Sequence, residues 1–194
     1  MKRLLISASL AASAILPSAA HAQAIPPAII AVVDLERVTS ECNACKTASA
    51  ALTSQVTAEQ ARERTVAAPL QTEQQSIQAA VNALNGKEPD AALKARANAF
   101  QTKVQQAQEQ ADRAQQQLKL NQQYVQRQVG EKLGPIYQQV MQRRGANVMV
   151  EQGATLASAT AVDVTSDVLT ALNAALPTIQ TVAPAPPANT QQGR

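Results

Sequence analysis

Apolar or small side chains stand at Leu93, Ala97, Phe100, Val104, Ala107, Ala111, Ala114 and Leu118, alternately four and three residues apart. The row resumes at Val125, Val129, Leu133, Ile136 and Val140, and the positions around it are mostly Gln, Arg and Lys. This is the a/d spacing of a coiled coil. A helix of that length cannot bury its stripe against itself, so it needs a partner. Leu52, Val56, Val66, Leu70, Ile77, Val81 and Leu84 supply one with a similar period, interrupted by Glu59, Glu63 and Glu73. The pattern predicts two long antiparallel helices.

The flanks have a different pattern. Ile29-Ile-Ala-Val-Val-Asp34 is short, β-branched and bounded by Pro26-Pro27, which predicts a buried strand. Helix one is expected over Lys46–Leu84, roughly 58 Å at helical rise, with Pro69 kinking it or marking an irregular turn. Asn85-Gly-Lys-Glu-Pro89 reads as a turn, with Glu88 capping and Pro89 opening helix two, which runs to Arg144 with bends near Gly130 and Gly134-Pro135. Gly145-Ala-Asn147 stops it. Val148-Met-Val150 reads as a second strand and Leu156–Val162 as a weaker third. Asp163 or Thr165 then caps a final helix carrying Val164, Val168, Leu172 and Leu176. The resulting fold class is α+β: a small β body with its C-terminal helix (28–45 and 145–176), a protruding hairpin (46–144) and a disordered Pro-rich tail (177–194).

The start of the chain changes the charge picture. Met1-Lys-Arg3, the apolar run Leu4–Leu16 and Ala20-His-Ala22 read as a secretory signal peptide cleaved after residue 22. Removing it takes away Lys2, Arg3 and the single histidine, leaving fifteen basic against fourteen acidic residues, a net charge of +1. No imidazole then remains for a metal site or general base. Two tyrosines, one phenylalanine and no tryptophan suit thin helical packing better than a thick core. Near-neutral charge, scarce aromatics and export argue against nucleic-acid binding. There is no phosphate loop and no Ser/His/Asp set, and Asp34, Asp163 and Asp167 fit turns and caps. The chain therefore reads as a binding protein without cofactor, metal or catalytic residues.

Charge is uneven along the arm. Lys46–Leu84 is neutral, whereas Lys87–Arg144 holds ten basic and five acidic residues. That excess reads equally as a recruiting field for acidic unfolded chains or as a solvated face. The glutamines between Gln101 and Gln142 permit weak hydrogen bonding to a client and are also ordinary solvated residues. Cys42-Asn-Ala-Cys45 opens helix one in a compartment where disulfides form. A local disulfide is the first reading. Links between subunits, free thiols, shared zinc sites and redox chemistry are the alternatives.

The order of elements, with Ile29–Asp34, Leu133-Gly-Pro-Ile136, Val148-Met-Val-Glu151, Thr155-Leu156 and Val162-Asp-Val-Thr-Ser-Asp-Val-Leu169, resembles the Skp/OmpH family of periplasmic chaperones for outer-membrane proteins. The resemblance covers about Ala28 to Leu176. It implies a periplasmic, jellyfish-like homotrimer whose intersubunit β-barrel holds Ile30, Val32, Val148 and Val150. Its helical tentacles would enclose unfolded outer-membrane proteins without ATP. Leu70, Ile77, Val81 and Leu84 are first of all hairpin core positions, and those left facing inward near the tip become client contacts, with Lys87, Lys94 and Arg96 as the basic tip. Glu88 and Asp90 dilute that tip, so membrane or lipopolysaccharide contact is expected to be weak at most. The competing reading is a coiled-coil spacer or adaptor of the cell envelope.

Overall fold

The computed structural model describes residues 25–184; the expected signal peptide and the tail beyond Pro184 lie outside them. Strand β1 (Ile30–Val33) leads into a short helix α1 (Leu35–Glu41), then the long helices α2 (Asn43–Ala83) and α3 (Ala91–Arg144). Strand β2 (Val148–Glu151) and helix α4 (Thr165–Ala175) complete the body. At helical rise α2 and α3 extend about 62 and 81 Å.

β1 and β2 pair in parallel, Ile30 opposite Val148 and Val33 opposite Glu151. Parallel strands need a long crossover, and here the crossover is the whole hairpin. The segment after β2 forms two 3-10 turns, Gln152–Ala154 and Thr160–Val162, in place of the expected third strand. Its only ladder contact among the described residues is a bridge from Asp163 to Val32, where Val164 N–H donates to the Val32 carbonyl at 2.9 Å. Neither turn is long enough to sustain a strand's pairing. β1 is thus flanked on both sides, and no described segment pairs with the outer edge of β2.

Caps fix the element ends. Asp34 accepts from Arg37 N–H to start α1, and Asp90, not Glu88, accepts from Leu93 N–H to start α3. Pro89 therefore lies before the helix rather than at its first position. Asn85 and Gly86, at φ 48° and 87°, make the left-handed turn between the arm helices. Gly145, at φ 67°, ends α3, and Ala146 N–H donates back to the Met141 carbonyl. Pro69 and Pro135 are carried inside continuous helices.

The dry core lies at one end of the molecule. Ala31 and Val33 of β1, Val38 of α1, Cys42 between α1 and α2, Val129, Leu133, Ile136 and Val140 of α3, and Val168, Leu172 and Leu176 pack together. Thr165 is fully buried, and its hydroxyl accepts from Asp34 N–H at 3.0 Å. Its own N–H donates to the Asp163 carboxylate at 2.8 Å. Hydrogen bonds from the Thr165 side chain and backbone hold the Asp163 pKa below the usual carboxylate range. Arg144 bonds Asp167 at 2.6 Å, tying the end of α3 to α4.

Candidate binding surface of the arm

Beyond this core the arm has none. From Ser49 on α2, around the tip, to Leu120 on α3, no residue is fully buried. Two helices can cover only one stripe of each other, so Leu93, Ala97, Phe100, Ala107, Ala111, Ala114 and Leu118 are half-buried and Val104 is exposed. The α2 side of the seam departs from the expected apolar row. It runs through Leu52, Gln55, Glu59, Leu70, Glu73, Ile77, Ala80 and Leu84, all half-buried. Val56 and Val81 fall off it, each 41% exposed.

Glu59 and Glu73 therefore belong to the seam rather than interrupting it, whereas Glu63 is exposed. Glu59 is bonded by Arg62 on its own helix, a contact that raises the Arg62 pKa. Glu73 reaches across to Lys103 on α3 at 2.8 Å, and Arg96 crosses to the Ser76 hydroxyl at 2.9 Å. Small residues facing charged ones leave the seam unfilled. A cleft of about 210 Å³ opens there, lined by Glu59, Val66, Leu70, Val104, Ala107 and Ala111 among others.

Of the expected client contacts, Leu70, Ile77 and Leu84 lie along the seam, and Val81 points away from it. Lys87, Lys94 and Arg96 are exposed toward the tip, with Lys94 only loosely set against Glu88 at 3.8 Å. The four residues expected to join subunits share one face of the sheet. Side chains alternate along a strand, so Ala31 and Val33, which enter the core, leave Ile30 and Val32 on the opposite face with Val148 and Val150. Ile30 is 47% and Val148 38% exposed there, whereas Val32, at 4%, is already covered within the protomer.

Cys42 and Cys45 are joined, with Cα atoms 5.1 Å apart. The geometry is available because Cys42 interrupts the helix (φ −57°, ψ 126°), ending α1 and capping α2 through Cys45 N–H. Its loop is so short that the constraint on the unfolded chain is worth about 2 kcal/mol at most. Replacing both by serine, whose oxygen can still take the cap bond, should lower the melting temperature modestly and leave binding activity unchanged. A loss of activity at unchanged melting temperature would give the pair a functional role.

Sequence reasoning missed the foot of the arm. Asn121, 4% exposed, bonds Gln55 across the seam at 2.8 Å and accepts from Gln117. Residues 177–184, expected to be disordered, run over this point. The tail is ordered here because carboxamides pair with its main chain: Gln128 with Gln180, Gln55 with Thr181, Asn121 and Gln117 with Ala183. A polar Gln55 and Asn121 inside an otherwise small and apolar repeat were the available signal. No helix among the described residues is long and apolar enough to cross a membrane.

The family described as "Outer membrane protein (OmpH-like)" matches residues 29–172. Among curated proteins none matches the chain. A crystal structure from Caulobacter crescentus, described as a candidate outer membrane chaperone (OmpH-like), superposes with a TM-score of 0.67 at 21% identity. The match covers 81% of this chain and 92% of that one, and it shows a shared fold.

Proposed function

The chain belongs to the OmpH-like family, and from that premise we propose that it is a periplasmic chaperone that holds unfolded outer-membrane proteins without ATP. The observation that carries this reading is the arm without a dry core between Ser49 and Leu120. Half-exposed apolar side chains along two long helices offer many weak contacts to any unfolded chain, and such contacts add by avidity without selecting a sequence. Three copies joined through the sheet face that exposes Ile30 and Val148, with the β2 edge that no described segment covers, would set the arms around a common cavity. No catalytic residues and no cofactor enter this account.

The mature protein should suppress aggregation of a urea-unfolded β-barrel protein diluted into buffer without nucleotide. A mere spacer would leave aggregation unchanged. Lys94→Gln with Arg96→Gln should weaken client capture several-fold at low salt and little at high salt, because exposed charges act through a screened field. Equal capture at both salts would assign the holding to apolar contacts alone.

A further inference from the structure

After α4 the chain crosses the foot of the arm in extended form. Ile179, Thr181 and Ala183 are half-buried, whereas Thr178, Gln180 and Val182 face outward, an alternation of period two. What holds this segment is unusual in kind. Gln128 Nε2 donates to the Gln180 carbonyl at 2.8 Å while its Oε1 accepts the Gln180 N–H at 3.0 Å. Gln55 Nε2 donates to the Thr181 carbonyl at 3.2 Å. Asn121 Oδ1 accepts the Ala183 N–H at 2.8 Å, and Gln117 Nε2 reaches the Ala183 carbonyl at 3.4 Å. These five bonds end on main-chain groups, and a sixth joins Gln55 Nε2 to the Thr181 hydroxyl at 3.4 Å. Side-chain identity enters only at the inward positions, where Ile179 packs against the core beside Ala44 and Ala48.

A row of carboxamides that pairs with backbone N–H and C=O groups does not discriminate among sequences, since every extended chain presents the same groups. It selects conformation instead. The inward positions add one demand, that alternate residues be apolar or small, which is the pattern of a strand from a membrane β-barrel. The segment lies beyond residue 172, where the family match ends.

We propose that the groove at the foot of the arm, walled by Gln55, Gln117, Asn121 and Gln128, is a docking site for an extended client segment with apolar or small alternate residues, and that residues 177–184 are its resident occupant, displaced when such a segment binds. This rests on the holdase reading and adds a defined site to it. The tethered occupant competes at an effective concentration on the order of millimolar, so a single weak client strand is excluded while a client already held by the arm can replace it.

The test uses the full mature chain and a fluorescent synthetic peptide alternating valine or alanine with serine or threonine. On saturation with peptide, the amides of Gln180 and Ala183 should lose their protection from hydrogen exchange. Gln180→Pro with Ala183→Pro removes two donors from the occupant and leaves the groove intact; it should tighten peptide binding roughly tenfold. Adding Gln128→Ala should abolish that gain. A peptide of the same composition in blocks should bind more weakly. Continued protection of both amides at saturating peptide overturns the proposal and leaves the holdase reading standing, as does a proline variant that folds normally but binds no tighter. The exchange measurement needs no variant, so misfolding of the proline form cannot shelter the idea. Absence of peptide binding in every form counts against both readings.

Discussion

Excising Glu63–Arg113 and joining Arg62 to Ala114 through a short turn should yield a protein that folds normally and no longer protects unfolded clients. The cut is in register. Gln55 bonds Asn121, Glu73 bonds Lys103 and Ser76 bonds Arg96 across the seam, so Arg62 and Ala114 lie at matching heights. Every fully buried residue lies at or before Ala48 or at or after Asn121, so the excision removes none of the dry core. Stability should fall little, whereas the half-exposed apolar surface and the tip with Lys87, Lys94 and Arg96 disappear. Aggregation suppression should drop to the level of an inert protein, while circular dichroism shows less helix and thermal unfolding stays cooperative. A shortened chain that protects as well as the full one would move client binding to the body.

Two aspartates on opposite faces of the same sheet should have opposite consequences. Val33 is 3% exposed inside the core cluster, and an unpaired charge there costs about 4 kcal/mol or more. With a body this small, Val33→Asp should unfold it, seen as loss of cooperative melting. Val148 is 38% exposed on the other face, so Val148→Asp should leave the protomer folded. If that face joins three copies, sedimentation will show the variant as a monomer and the parent as a trimer. A parent that sediments as a folded monomer at low micromolar concentration would remove the trimer from the proposed function.

The hairpin was legible because α3 keeps a strict four-three row from Leu93 to Leu118, a period that only a helix facing a partner produces. Its mate was only partly legible. Hydrophobicity pointed to Val56 and Val81, but the seam passes through Gln55, Glu59, Glu73 and Ala80, where aliphatic stems and a methyl group do the covering. The break at Cys42 carries no proline or glycine, so nothing local announced α1 as a separate helix. The Leu156–Val162 region has only Thr160 and Val162 as β-branched residues among three alanines, too little to hold a strand, and Leu156 stays fully exposed. The proline-rich tail read as disorder because composition reports a segment's own tendency. The carboxamides that hold residues 180–183 lie 52 to 126 residues away.

The parallel pairing of Ile30 with Val148 sets an order of events in folding. Chain closure over more than a hundred residues is slow when the intervening chain is loose. Here that chain is a hairpin whose contacts begin locally at the Asn85–Gly86 turn and extend by zipping, each turn of helix shortening the remaining gap. The two strands are delivered to one another by the arm. As the chain emerges from its N-terminus, β1 appears first and must wait for the whole arm before its partner exists. The β1–β2 pairing is then made only after the arm, and its exposed face is displayed once the arm is already formed.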